Sequence, residues 1–200
     1  MTLLELLMVM MLLGVVVTVF MTTFMNVQTN FQRQSDRSQG NDQARLAVEQ
    51  IDREVRSGNL LYDPVIEDDP TNGIYPGMSL RVYTQTNAPT RDPANRCLQW
   101  RIFDTELQVR SWSVTWHTDG VVTTWRVVAD HVVNQSNNPQ TPAFMLDPEL
   151  TKGSRTLVVN ILVNQSKSSG RDIQVKSSVT GRNTGYGYPQ DICSDIPPYA

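Results

Sequence analysis

The stretch Met1-Thr2-Leu3-Leu4-Glu5-Leu6-Leu7-Met8-Val9-Met10-Met11-Leu12-Leu13-Gly14-Val15-Val16-Val17-Thr18-Val19-Phe20-Met21-Thr22-Thr23-Phe24-Met25 decides how the rest of the chain is read. It carries one charge, Glu5, and no Lys or Arg precedes Arg33. From Leu6 to Met25 it is apolar over the roughly 20 residues that a helix needs to cross a bilayer core. A helix satisfies its own backbone in lipid, so a single span is read as helical. A cleavable secretory signal calls for a positive leading region and a small-residue cleavage site, and neither is present. A plain membrane anchor explains the apolar run but not Glu5. A carboxylate in hydrocarbon costs on the order of 3 kcal/mol and usually has a functional partner.

The residues Met1-Thr2-Leu3-Leu4-Glu5-Leu6-Leu7 resemble the mature N-terminus of the type IV pilin and pseudopilin superfamily. In that family an apolar first residue is followed by Thr-Leu, an aliphatic residue and Glu at position 5. Gly14 matches a helix-weakening glycine common there, while Thr22 stands where Pro is common. The resemblance implies that a prepilin peptidase cuts before Met1, that the Met1 amine is methylated, and that Met1 is not an initiator. It also implies a role for Glu5. Met1 and Glu5 lie four residues apart, on one helix face. In a stack of staggered subunits the amine of one chain meets Glu5 of the next. An unpaired partner in such a low-dielectric core is heavily penalised, which sets register.

From Asn26 the composition turns polar, yet the helical signals continue. Ala44, Val48, Ile51 and Val55 recur at spacings of four, three and four, with Leu46 off the stripe. That is an amphipathic helix with one buried face. Gly40 is read as weakening it by about 1 kcal/mol relative to Ala. Ser57-Gly58-Asn59 is a stop signal. One helix is therefore expected over 1–57, about 85 Å long, with 1–25 in membrane or filament core. Residues 58–200 form a second region, large enough for its own core.

Leu60 to Gly77 reads as a loop, with Asp63-Pro64, Asp69-Pro70, Asn72-Gly73 and Pro76-Gly77 as turn formers. Its acids Glu67, Asp68 and Asp69 are read as a solvated cluster rather than a calcium site, since no alternating ligand pattern is present. Strands follow at 79–86, 98–103 and 107–116, with a bulge expected at Ser111 from the change of apolar face there. Asp119-Gly120 signals a hairpin, and 121–133 is its partner strand. Asn134 to Pro148 reads as a loop. Leu157, Val159, Ile161 and Val163 alternate in the next strand, and Ile173, Val175 and Ser177 begin the last. Sequential strands on short turns give an antiparallel meander. The expected class is α+β: a long N-terminal helix packed by its C-terminal half on an antiparallel sheet. This order is also the pilin architecture that the resemblance implies. A weaker similarity, through Ser178-Val179-Thr180-Gly181-Arg182-Asn183 and the series of strands, points to the larger J-type or W-type subunits.

Two cysteines, Cys97 and Cys193, stand without a CxxC pair. On a domain outside the cytoplasm they read as a disulfide, with two free buried thiols as the alternative. A bridge would tie the tail back to the sheet, as C-terminal disulfides do in many pilins. The tail from Thr184 to Ala200 carries Tyr186, Tyr188 and Tyr199 among Gly and Pro, and reads as an ordered tail rather than a binding strip. Asn134-Gln135-Ser136 and Asn164-Gln165-Ser166 match the glycosylation sequon without being read as modified. The net charge of −3 argues against general nucleic-acid binding.

No nucleophile triad, phosphate loop, zinc spacing or dinucleotide fingerprint appears, so no catalytic residue, metal ligand or cofactor is expected. His117 and His131 read as strand residues, with His131 beside Asp130. Trp100, Trp112, Trp116 and Trp125 read as sheet residues, with an aromatic carbohydrate-binding face as the alternative.

The expected function is a structural subunit of a type IV pilus filament whose sheet domain sets what the filament adheres to. Its expected partners are other copies of itself or homologous pilins, an inner-membrane assembly platform and prepilin peptidase. It would wait in the cytoplasmic membrane and end in an extracellular filament. A minor pilin or type II secretion pseudopilin is the first alternative. A membrane-anchored ligand-binding domain that never polymerises is the second.

Overall fold

A computed structural model describes residues 3–67, 69–85, 95–147, 156–165, 172–181 and 187–198. Helix α1 runs Leu3–Ser57. It is followed by β1 (Gly58–Leu61), β2 (Ser79–Gln85), β3 (Asn95–Phe103), β4 (Glu106–Ser113), the one-turn helix α2 (Trp116–Asp119), β5 (Arg126–Ala129), β6 (Phe144–Leu146), β7 (Thr156–Val163) and β8 (Ile173–Thr180). The layout is α+β, a long helix packing on antiparallel sheet. The contacts divide into two units, one up to Gln39 and one from Gly40 onward, so the helical stretch from Gly40 to Ser57 belongs to the same unit as the strands.

The apolar spacing of the helix end works as the sequence implies. Ala44, Val48, Ile51 and Val55 are all buried, and Leu46 is exposed. Ala47 and Gly40 join the buried face. Gly40 does more than weaken a helix: a Cβ there would meet Gln165 Cγ at 2.9 Å and Val163 Cγ1 at 3.2 Å. The helix therefore approaches β7 and its following residues where only a hydrogen fits. The helix face packs into one apolar cluster with Leu80, Val82, Trp100 and Ile102 on one side and Phe144, Leu157, Val159 and Ile161 on the other.

Instead of one meander, the strands form two sheets. Strands β1 to β5 make a five-stranded antiparallel sheet in chain order, and β6 to β8 a separate three-stranded one. The acid-rich loop yields a strand at its start, β1, and a 3-10 turn at Pro70–Asn72. Strand β6 lies inside the stretch that reads as a polar loop, because Phe144 inserts fully into the core. Three further expectations are corrected. The pairing of β3 with β4 runs from Arg96–Ser113 to Phe103–Glu106 without a shift, so no bulge interrupts it at Ser111. Trp112 is simply on the opposite face from Leu107 and Val109, and that face is also covered. Asp119-Gly120 ends the short helix α2, with Gly120 in the left-handed region at φ 66°, rather than forming a two-residue hairpin. Trp116 and Trp125 accordingly lie outside the strands, while Trp100 and Trp112 lie within them.

Helix and sheet are also joined by a polar contact. The Trp100 indole N–H donates to Glu54 Oε2 at 2.6 Å, and Gln50 Nε2 donates to Glu54 Oε1 at 2.9 Å. Burial pushes the Glu54 carboxyl above the ordinary glutamate range, against the pull of these two bonds and of the Arg96 and Arg126 charges. The protonated acid suits the fold. That contribution is complete below the ordinary glutamate pKa and is lost as pH rises through the raised value.

Two outcomes follow for the detergent-solubilised chain under chemical denaturation. Ile51→Ala is expected to cost about 2 to 5 kcal/mol, and Leu46→Ala within about 0.5 kcal/mol of nothing. Glu54→Gln, which resembles the protonated acid, should gain stability relative to the parent as pH rises from the ordinary glutamate pKa through the raised value. A parallel pH dependence in both chains would refute the assignment of that loss to Glu54.

Candidate functional site

The N-terminal unit exposes its apolar side chains on every side. Leu3, Leu7, Met11, Phe20 and Phe31 are all exposed by more than 60%. Over its apolar window the helix is long enough to cross a membrane, and none of that window is buried. This is compatible with anchoring in a membrane. A helix apolar all round satisfies itself only by burial in lipid or among other apolar elements. Its few polar groups are handled internally. Thr18 Oγ1 donates to the Gly14 carbonyl at 2.7 Å, and Thr22 and Thr23 donate to the Val19 carbonyl. These bonds leave no hydroxyl needing water. The helix continues through both Gly14 and Thr22 without interruption. Glu5 stands in its first turn. Met1 lies outside the described residues, and with it the expected pairing to Glu5 and the expected methylation.

The second feature is one the sequence reading missed. The face of the five-stranded sheet turned away from α1 carries three buried arginines, Arg81, Arg101 and Arg110. They sit on alternate positions from the core residues of β2, β3 and β4, so strand periodicity put them all on one face. Buried arginines need full partnering. Here aromatic rings, main-chain carbonyls and side-chain oxygens supply most of it, while the buried Arg81 Nε has no hydrogen-bond partner among the described residues. Arg101 lies 4.5 Å from the Phe103 ring centre and 3.8 Å from that of Trp125, and Arg110 lies 4.4 Å from Trp125 and 5.4 Å from Trp112. Arg110 also donates to the Gln99 side-chain oxygen and to the carbonyls of Pro197 and Pro198. Arg81 stacks over Tyr62, donates to the Cys193 carbonyl and pairs with Glu67. Burial raises the Glu67 carboxyl, while the Arg81 charge and hydrogen bond oppose the rise. Glu67 is thus an internal ion-pair partner and not a solvated acid.

The tail is the roof of this face. Cys97 on β3 is disulfide-bonded to Cys193, with 5.8 Å between the Cα atoms. Tyr188 packs edge-on against Tyr83, and its hydroxyl donates to Gln85. His117 pairs with Asp195 on the surface, and His131 Nδ1 lies 3.1 Å from Asp130 Oδ1. Tyr186 and Tyr199 lie outside the described residues, as do Asp68, Arg182 and Asn183. The sequons divide differently from their shared pattern. Asn134 is fully buried, bonded to the Thr141 and Asn160 carbonyls and to the Leu162 N–H, so its amide is structural. Asn164 donates to Asp172.

Among the described residues no group of three or more His, Cys, Asp and Glu gathers as metal ligands would. Compared with known proteins, the chain matches no family model and no curated sequence.

The disulfide closes a loop across 96 residues. The double substitution Cys97→Ala, Cys193→Ala is expected to cost roughly 2 to 5 kcal/mol. Because the tail then loses its one covalent tie to the sheet, limited proteolysis should cleave first between 187 and 198. Cleavage confined to other loops would count against the tail as a bound roof.

Proposed function

We propose that this chain is a type IV pilin-like subunit that polymerises through its N-terminal helix. The observation that carries the reading is Glu5. It is the one charged residue before Arg33, set in a helix whose apolar side chains are exposed among the described residues. Such a helix needs an apolar surround, and in that surround a carboxylate such as Glu5 attracts a neighbouring cation strongly. A neighbouring copy's N-terminal amine supplies both conditions at once, since the neighbour brings its own apolar helix with it. Membrane storage before assembly and filament packing after it use the same surface.

Three further features support the reading. The Met1 to Leu7 stretch resembles mature pilins. The helix end packs on antiparallel sheet, the general layout of the pilin fold. The disulfide and the arginine-clamped tail suit a domain exposed outside the cell, where thiols oxidise. In this reading the chain performs no chemistry. Its work is to hold register through the helix and to present the strand-bearing unit outward. Prepilin peptidase and a membrane assembly platform would process and move it.

The test is Glu5→Ala, followed in membrane and sheared-filament fractions by quantitative mass spectrometry. The variant should remain in the membrane, because removing a charge makes the span more apolar. Its amount in sheared filaments should fall at least about a hundredfold, as one unpaired charge in a low-dielectric packing costs roughly 3 to 5 kcal/mol. Unchanged recovery in filaments would sink the proposed register role. A parent chain found only in membranes, with no filament, would leave an anchored domain instead. A parent chain present in traces beside another pilin would make it a minor or priming subunit.

A further inference from the structure

The turn between β3 and β4 opens onto a cleft of about 460 Å³ lined by Tyr75, Phe103, Asp104, Thr105, Gln135, Ser136 and Gln140. Two aromatic rings stand among two amides, three hydroxyls (the Tyr75 phenol included) and one carboxylate, and no basic side chain lines the cleft among the described residues. That set has a chemical meaning. Rings pack against apolar C–H faces. Amides, hydroxyls and a carboxylate both donate to and accept from hydroxyl groups. An anion would face the Asp104 carboxylate with no basic side chain in the lining, and a purely apolar ligand would strand the amides without partners. The ligand class with C–H faces and many uncharged hydroxyls is a sugar.

The walls are fixed before any ligand arrives. Arg101 lies over the Phe103 ring, and Gly73, at φ 71°, backs it so closely that a Cβ there would sit 3.1 Å from Phe103 Cε2. Phe103 nevertheless stays 37% exposed. Gln135 Nε2 donates to the Gly73 carbonyl at 3.2 Å, which ties the amide wall to the ring wall. The Thr105 carbonyl accepts the Val132 N–H at 2.8 Å and anchors the turn from behind. Asp104 and Thr105 both hold positive φ, 46° and 67°. Asp tolerates that region, but a β-branched Thr there is strained. A Gly or Asn would close the same turn without strain. The strained residue is thus one whose hydroxyl-bearing side chain belongs to the cleft wall.

We propose that this cleft binds a neutral saccharide, with Phe103 and Tyr75 against the sugar face and Asp104, Gln135 and Gln140 reading its hydroxyls. The site differs from the aromatic face the sequence suggests, since the tryptophans are taken up by the core and by the arginines. It does not depend on the filament reading, because it lies wholly within the unit from Gly40 onward.

The experiment uses the full chain in a polyoxyethylene detergent, because maltoside and glucoside detergents would themselves compete. The chain is applied to a printed array of neutral and acidic oligosaccharides, and the strongest neutral binders are then titrated calorimetrically. Saturable binding to neutral oligosaccharides is expected. It should weaken about tenfold or more in Phe103→Ala, the loss of one stacked ring. Gln140→Ala, at an exposed position, should also weaken binding while leaving the thermal unfolding midpoint unchanged, so it decides the matter if Phe103→Ala fails to fold. Binding to acidic oligosaccharides alone, binding to none, or neutral binding that Gln140→Ala leaves intact would each overturn the proposal.

Discussion

A helix that is apolar on every side for about six turns cannot be at rest in water. Everything else in this molecule is arranged around that constraint. The same α1 passes from a stretch with no polar face to a stretch with one apolar stripe. The first must be buried by lipid or by other chains, the second by its own sheets. Burial of Ala44, Ala47, Ile51 and Val55 gives the second its fixed place. The close pass at Gly40 sets the point where packing within the chain begins.

The strand-bearing unit solves a different problem. Its five-stranded sheet is covered on both faces, one by the apolar cluster that includes α1. The other combines a smaller apolar cluster of Leu60, Tyr83, Trp112 and the Cys97–Cys193 bridge with buried arginines held by rings and carbonyls. This arrangement removes polar surface from water without leaving charges stranded. It also explains why a tail with little helical or strand character is ordered. Main-chain carbonyls of Cys193, Pro197 and Pro198 are the acceptors that Arg81 and Arg110 require. Proline suits that task, since it offers a carbonyl and no competing N–H. The disulfide holds the acceptors within reach. Tail and arginines are therefore mutually dependent, and neither is explained alone.

The two units have little chemistry in common, and they answer to different surroundings. Apolar contact in the N-terminal unit is non-directional. The strand-bearing unit is rich in directed contacts. Its surface cleft beside the β3–β4 turn carries a Thr in the left-handed region that local sequence alone would not favour. Local strain held by surrounding packing is a feature of the tertiary structure and cannot be read from composition.

The sequence by itself determined what periodicity and composition record. The apolar run, the lone Glu5, the stripe from Ala44 to Val55 and the alternation of Leu157 to Val163 each follow from a local repeat, and the helix and most strands were legible in them. What only the tertiary structure decided are relations between distant segments. Alternation in β4 looked like a change of face because both faces turn out to be covered, and no local signal says what covers a sheet. The second sheet takes in Phe144–Leu146, from a stretch whose Pro and Asn content reads as loop, because Phe144 enters the core. Glu67 looked solvated among its neighbouring acids until Arg81, 14 residues on, was placed beside it. Arginines on one face of three strands, facing a proline-rich tail, were the signal that could have been read. It was not decisive alone, because the same alternation describes an ordinary solvated face until the tail is folded over it.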